Sequence, residues 1–474
     1  MLRKIILLIL MIFFITVNAK SEVIKLSPEK VAELARTQSL LVKTSKLNIK
    51  AQESALKSAG ASFFPTLSGN ISAMHIYDKP QMELGGGGGS FLGTSIPVIP
   101  GVTDLIDGGD VQLLNLLANS FSNMKIETPN NIYNGQISIA QPIFTGGKIF
   151  NGYRATKLNL EAQKFLFVRN QKEASLTAQK LFWGYVGTVK GLEAISETAQ
   201  WLEKLVSDQR KMFENNLIIE LDVLNTTIQL DNFKLTEEKM KNSIQTLTSQ
   251  FLLFLGLPQN LEIDVDTSML AVAENIVVRD DSIDIWIENR EDLKALSSQI
   301  NALEKLKKIQ LGSYFPNIAA FGSYGANNQY SNREEVFKKS SSIGIQANWT
   351  IIDWGKAWQE SKKIDAQIQT LKLQRDNMRE MIRLKYKELY RKVEESKKSC
   401  LIAKEDLETA QKALRIAKLK YDSQSITNTE LLNARNQLTG KMVAYTQARI
   451  NIILAKEEFL TASLGGSNSQ QMSQ

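Results

Sequence analysis

The sequence predicts an α+β chain in which one unit, reading helix, strand, strand, long helix, helix, is used twice. Three observations lead there: an internal duplication, strand pairs that alternate apolar with polar residues, and two proline-free helical stretches of 65 residues each. Phe63-Phe64-Pro65 recurs as Tyr314-Phe315-Pro316. Ile143-Phe144-Thr145-Gly146-Gly147-Lys148 recurs as Ile351-Ile352-Asp353-Trp354-Gly355-Lys356, and Asp222-Val223-Leu224-Asn225 as Glu430-Leu431-Leu432-Asn433. The last two pairs share an offset of 208 residues that holds without gaps from Gly147 to Leu230, as internal duplications do.

Taken in order, the chain opens with Arg3 and Lys4, an apolar run from Ile5 to Val17, and Val17-Asn18-Ala19, a small-residue cleavage site. This is the pattern of a secretion signal over 1–19, with the mature chain starting at Lys20 and no cysteine there to carry a lipid. Cleavage removes both leader cations, taking the formal charge from +7 to +5. The remaining Lys and Arg are scattered among nearly as many acids, so a nucleic-acid partner is not expected. Beyond the leader no stretch approaches the roughly 20 apolar residues a spanning helix needs. A membrane crossing would have to use strands.

The strands are read at about 64–78, 132–144, 315–326 and 340–352. Ile137, Ile139 and Ile143 alternate with Gln136, Ser138 and Ala140; Ile343, Ile345, Ala347, Trp349 and Ile351 alternate with Ser342, Gly344, Gln346, Asn348 and Thr350. One face is oily and the other polar. Phe63, Phe64, Tyr77, Phe315, Phe321 and Tyr324 add aromatics of the kind that gather at membrane interfaces. An ordinary half-buried sheet fits any single strand equally well. Four strands are long enough to span a bilayer, but an open sheet leaves backbone groups unsatisfied in lipid. Small barrels need about eight strands, so three chains pooling about twelve is the expected solution.

The helical stretches run from Lys148 to Met212 and from Lys356 to Lys420. Val393, Cys400, Leu407, Leu414 and Tyr421 fall at strict sevens beside Ser396, Ala403, Ala410 and Ala417. The first copy answers with Tyr185, Leu192, Ala199, Val206 and Phe213 beside Thr188, Ile195 and Leu202. These are a/d-type seams. Each long helix turns near Phe213 to Ile219 or Tyr421 to Asn428 and returns toward Gly256 or Gly465, giving helical hairpins over 148–256 and 355–464. Asn216 and Gln424 stand at the turns; glutamine adopts the left-handed conformation less readily than asparagine, so the second turn is expected to differ. Ser27-Pro28-Glu29 is a capped helix start, and Asn289 with Glu291 and Asp292 opens its counterpart. The first repeat is thus 20–256, a connecting segment 257–288, the second repeat 289–465, and 466–474 a disordered tail. The first copy also carries a Gly/Pro-rich loop insertion at about 79–130.

Catalytic parts are missing from this inventory. His75 is the only histidine and Cys400 the only cysteine, which argues against metal centres and a Ser-His-Asp triad. Gly147-Lys148 lacks the upstream glycine of a phosphate-binding loop. An enzyme is not expected, and no cofactor is called for.

The order and doubling of leader, aromatic-Pro helix end, strand pair, Gly-Gly-Lys or Trp-Gly-Lys opening, and hairpin resemble the TolC-like outer-membrane factors over nearly the whole mature chain. The resemblance implies a homotrimer in the outer membrane: four strands per chain in one β-barrel, continuous with an α-helical barrel reaching into the periplasm, with 257–288 as an equatorial segment. It implies an exit duct of a tripartite efflux pump or type I secretion system, passive, coupled through a periplasmic adaptor (membrane fusion) protein to an inner-membrane transporter of RND, ABC or MFS type. A periplasmic adaptor or coiled-coil scaffold without a pore is the competing reading. Within the family the second hairpin narrows the entrance with acidic side chains; Glu430 matches the principal position and Asn433, uncharged, a second. Three Glu430 carboxylates on one axis would attract cations and raise one another's pKa; a merely solvated Glu430 is the plain alternative. Asp222 is the equivalent position of the first copy and a candidate for latching the hairpins, although Ile426 replaces the arginine some relatives pair with it. Tyr421 either hydrogen-bonds across helices or simply ends the apolar seam.

Overall fold

The computed structural model describes residues 23–77, 130–273, 287–328 and 336–463. The leader, the 79–130 insertion, much of the connecting segment after Ala273 and the 466–474 tail lie outside them. In chain order the elements are β1 Val23–Leu26, α1 Pro28–Gln38, α2 Leu40–Ala61, β2 Thr66–His75, β3 Asn131–Phe144, α3 Lys148–Glu214, α4 Glu220–Leu255, β4 Glu262–Val265, α5 Met269–Val272, α6 Glu291–Leu311, β5 Asn317–Asn327, β6 Lys338–Asn348, α7 Lys356–Asp422 and α8 Asn428–Ser463. This is the α+β, twice-used unit. The two long helices have the same length, 67 residues, as do the two returning helices, 36 residues. None of the described helices is long and apolar enough to cross a membrane.

The chain forms two compact units, one of Met1–Leu56, Arg154–Leu306 and Lys363–Gln474, the other of Lys57–Tyr153 and Lys307–Lys362. In the first, Ser27 accepts a hydrogen bond from the Lys30 amide and Pro28 occupies the first turn of α1, so the capped start forms. The main core gathers Leu26, Val31, Ala35, Phe182, Trp183, Val186, Phe251, Leu255 and Ile453. Phe182 and Trp183 meet edge to face with centroids 5.1 Å apart, and both are fully buried. β1 pairs parallel to β4, carrying Leu26 into this core.

The seams are apolar and covered where the helices run side by side. Val393, Cys400 and Ala410 are buried on α7, as are Tyr185, Ala199, Leu202 and Val206 on α3, with Leu407, Leu414 and Tyr421 half-buried. Phe213 departs from its expected seam role and is 41% exposed. α3 ends one residue later, and the Phe213 carbonyl accepts the Asn216 amide as the chain reverses.

Near the end of α8, two adjacent carboxylates behave oppositely. Burial disfavours ionisation of Glu458, but Lys180 and Lys392 donate hydrogen bonds to it, and the balance lowers its pKa. Burial raises the pKa of Glu457, with a further push from the Glu29 charge, against the pull of Lys456, Gln179 and Arg36. A carboxyl whose pKa rises on folding stabilises most below its unfolded value and loses that contribution as pH climbs through the folded value. Glu457→Gln is therefore expected to raise the thermal midpoint at pH 7 and to do little at pH 4. Equal shifts at both pH values, followed by circular dichroism, would remove burial of the charge as the cause.

The second unit holds an antiparallel sheet in the order β2-β3-β5-β6. β3 pairs with β5, so the hairpin of each repeat joins the other through these strands, with an irregularity between Pro142 and Phe144. β6 ends at Asn348 rather than near 352, because Asn348 faces Asn317, the first residue of β5, and nothing lies beyond to pair with. Trp349 instead donates its indole N–H to the Tyr314 carbonyl at 3.0 Å. Asp353 then caps α7, accepting the Gly355 and Ala357 amides; those amide bonds, the Ala357 one foremost, hold its pKa low. The turn before the long helix is left-handed in both copies, at Gly146 and Gly147 and at Trp354 and Gly355. Gly146 cannot be replaced: an added Cβ would sit 2.2 Å from the Gly312 carbonyl oxygen.

Register puts the two sheet faces in contrast. Leu67, Ile71, Ile137, Ile139, Tyr324, Ile343 and Ile345 lie on one face, with exposures up to 91% and 92% at Ile71 and Ile343. An apolar face this extensive and this bare marks a surface made for an apolar environment. The other face carries Ser68, Asn70, Gln136, Ser138, Ser323, Ser340 and Ser342. Phe321, expected among the interfacial aromatics, falls on this polar face, because it faces Ala140 and Gly344 rather than the isoleucines.

Candidate functional site

The two hairpin turns have one geometry. Asn216 and Gln424 both take φ of 58°. In the first turn the Asn216 amide bonds the Phe213 carbonyl and the Leu217 amide the Met212 carbonyl. In the second, Gln424 bonds Tyr421 and Ser425 bonds Lys420. This double bond pattern is the Schellman motif. The expected difference between the turns is absent; the two closing hydrogen bonds hold glutamine in the left-handed region despite its intrinsic reluctance.

Directly behind the turns, four helices meet on one buried polar cluster. Gln209 of α3, fully buried, donates through Nε2 to the Tyr421 hydroxyl at 3.0 Å and to Asn428 Oδ1 at 2.9 Å. Asn428, at the head of α8, donates through Nδ2 to the Asp222 carbonyl and to Thr226 Oγ1, both at 3.0 Å on α4. Asn428 thus ties α3, α4 and α8 together, and Tyr421 adds α7. Gln209 Oε1 is buried without a partner among the described residues, so the cluster is one donor short.

Deeper along the helices, Leu202, Val206, Leu230 and Leu432 form an apolar layer, and beyond it lies a second polar tier. Arg435, 5% exposed, donates to Thr198 Oγ1 at 3.1 Å and to Glu197 at 3.2 Å, with its guanidinium 5.4 Å from the Trp201 ring. The Thr198 and Thr439 hydroxyls lie 2.7 Å apart. The polar–apolar–polar layering gives the hairpins one register, since sliding would bury unmatched groups.

Of the residues singled out in the sequence, Tyr421 hydrogen-bonds across helices and does not merely end the seam. Burial, and then the nearby Asp222 and Asp422 charges, raise its pKa despite the Gln209 bond. Asp222 enters the cluster through its backbone carbonyl, while its half-buried side chain takes no recorded part in the cluster's hydrogen bonds. Glu430 is exposed and closes a capping box: Oε2 accepts the Thr427 amide at 2.8 Å and the Thr427 hydroxyl at 3.0 Å, and Thr427 Oγ1 accepts the Glu430 amide. Within one chain these bonds, the Thr427 amide first, lower the Glu430 pKa. That is opposite in direction to the mutual repulsion expected of converging carboxylates. Asn433 is exposed one turn on.

Gln209, Thr226, Asn428, Thr198 and Arg435 escaped the sequence reading. The signal was present for some: Gln209 continues the series Thr188, Ile195, Leu202 at intervals of seven, an amide where the seam wants a hydrocarbon, and Asn428 and Arg435 are also seven apart. Among the described residues no cluster of His, Cys, Asp or Glu could hold a metal.

A duplicated unit of hairpins and a sheet with one bare apolar face is a fold that the chain shares with solved outer-membrane channels. Residues 283–466, essentially the second repeat, match the outer membrane efflux protein family. The outer membrane protein VceC of Vibrio cholerae superposes with a TM-score of 0.69 at 14% identity, over 93% of this chain and 96% of that one. The Campylobacter jejuni CmeC outer membrane channel gives 0.70 at 13% identity, over 93% and 86%. The open state of the Neisseria gonorrhoeae MtrE outer membrane channel gives 0.65 at 13% identity, over 93% and 89%. At such identities the likeness is one of fold. A search of curated protein sequences finds no match.

Proposed function

We propose that three copies of this chain form the outer-membrane exit duct of a tripartite efflux or type I secretion assembly. It passively conducts cargo handed over by an inner-membrane transporter through a periplasmic adaptor. The observation that carries the reading is the sheet: four strands, edges at β2 and β6, and an isoleucine face left bare. Four strands cannot close, and unpaired edges in lipid cost several kcal/mol per backbone group. Pairing β6 of one copy with β2 of the next, three times over, removes every edge and turns the hydroxyl face inward. The hairpin turns then form the periplasmic entrance, closed by the Gln209–Asn428–Tyr421 cluster, with three Glu430 carboxylates around it. Family likeness in the second repeat supports the same reading.

The test is assembly and conductance. The protein should fractionate with the outer membrane, run as a detergent-resistant trimer and conduct ions in planar bilayers; a soluble monomer would overturn the reading and favour a poreless scaffold. Glu430→Gln retains a side chain able to close the capping box while deleting the charge. The cap lowers the carboxyl pKa, so the charge is present above the ordinary carboxylate range and lost as pH falls through the folded value. The variant should keep its assembly and lose cation preference at pH 7. Unchanged reversal potentials in a salt gradient would remove Glu430 from the selectivity of the entrance.

A further inference from the structure

The polar sheet face is organised in levels. One serine from each strand stands at a single level: Ser68 faces Ser138, Ser138 faces Ser323, and Ser323 faces Ser342. The Oγ atoms are 2.8 Å apart in the first and last of these pairs. The neighbouring level toward the strand ends at His75 and Asn131 is Asn70, Gln136, Gly325 and Ser340; the level on the other side is Thr66, Ala140, Phe321 and Gly344. Across these three levels the face carries no charge and one aromatic ring. The nearest charge on this face is Lys338, one level beyond Ser340, so what the wall can impose on passing cargo at the level of Phe321 is a size limit.

Phe321 is the group that can set that limit, and the sheet holds it in a particular way. It is the direct cross-strand partner of Gly344. A Cβ added at Gly344 would meet the ring at 2.9 Å from Cζ and 3.0 Å from Cε1. The ring therefore lies across the strand, over the bare Cα of the glycine, and does not stand up from the wall. Strand glycines mark places where another group must come close, and an aromatic laid over a glycine is a recognised sheet arrangement. Any side chain at 344 takes the space the ring occupies, and the open direction left to the ring is away from the wall.

We propose that Gly344 is a recess that keeps Phe321 flat, and that this pair sets the free bore of the conduit at its level. The proposal rests on the reading of the hydroxyl face as luminal. In a closed barrel three such rings stand at one height, so a change at 344 acts three times on the same cross-section.

The experiment places 4-fluorophenylalanine at 321 in the full-length protein in lipid nanodiscs and reads its fluorine resonance. In the otherwise native protein a water-soluble gadolinium chelate should broaden the line, and a doxyl-labelled lipid should not. Gly344→Ala should shift the resonance and strengthen the broadening by the chelate as the ring swings into the water-filled space. Broadening by the doxyl lipid instead would show the face to be lipid-facing, overturning the luminal reading and the proposal with it. Chelate broadening with neither change on Gly344→Ala overturns the recess while leaving the duct intact. Should Gly344→Ala fail to assemble, Phe321→Ala combined with Gly344→Ala must restore the assembled protein, because the clash has been removed; a double variant that still fails overturns the pairing.

Discussion

Asn428→Ala is expected to leave the entrance open, seen as a large rise in single-channel conductance over the native protein. Asn428 is 3% exposed and makes three hydrogen bonds, one to each of Gln209, the Asp222 carbonyl and Thr226. Alanine deletes all three and leaves buried partners behind, each costing about 1–3 kcal/mol when unpaired. Even a net loss of about 3 kcal/mol moves a closed-to-open equilibrium by roughly 100-fold. Asn428→Asp should be no rescue, since a buried carboxylate would face the Asp222 carbonyl it now donates to. Native conductance in Asn428→Ala would refute the closing role of the cluster. Because no ionised group makes these bonds, closure should also hold from about pH 5 to 9 and resist added salt. Tyr421, whose pKa is raised by burial, stays neutral until pH passes above its ordinary range, so its contribution fades only in strong base.

The largest effect on stability is expected from Trp183→Ala. Trp183 and Phe182 are fully buried, and with Phe251 they centre the core that also takes in β1, α1 and the end of α4. Truncating a buried tryptophan to alanine typically costs about 3–5 kcal/mol, the transfer loss plus the cavity left behind. Trp183→Phe should cost far less. It keeps most of the ring volume and deletes an indole N–H that is buried without an acceptor among the described residues, so it gives up no hydrogen bond. Thermal unfolding followed by helical signal separates the two; comparable destabilisation by both substitutions would contradict the cavity argument.

The sequence made the strand faces and the seam legible because both rest on short periods that a single residue cannot disguise. Ile343 and Ile345 alternate with Gly344 and Gln346, and the sheet has them on opposite faces. The polar cluster behind the hairpin turns was harder to see. Its members are ordinary amides and hydroxyls whose meaning depends on which of four helices meet at one height, and Asp222 joins through a carbonyl that every residue possesses. Motif correspondence therefore pointed to Asp222, whereas three of the hydrogen bonds between these helices run through Asn428. The second turn misled for a related reason: the intrinsic preference of Gln424 was outweighed by two backbone hydrogen bonds that only the reversing chain could supply. Phe321 was read as interfacial by residue type, whereas its cross-strand partners determine its face.

The parallel pairing of Val23–Leu26 with Glu262–Val265 carries a consequence for biogenesis. A polypeptide made amino end first delivers β1 at the outset, yet its mate follows only after the entire first repeat has emerged. Until then the edge of β1 is free to pair wrongly. Fast local helix formation in the meantime and late closure of this long loop place the β1–β4 pair after the folding transition state, so deletion of Val23–Leu26 should speed unfolding more than it slows folding.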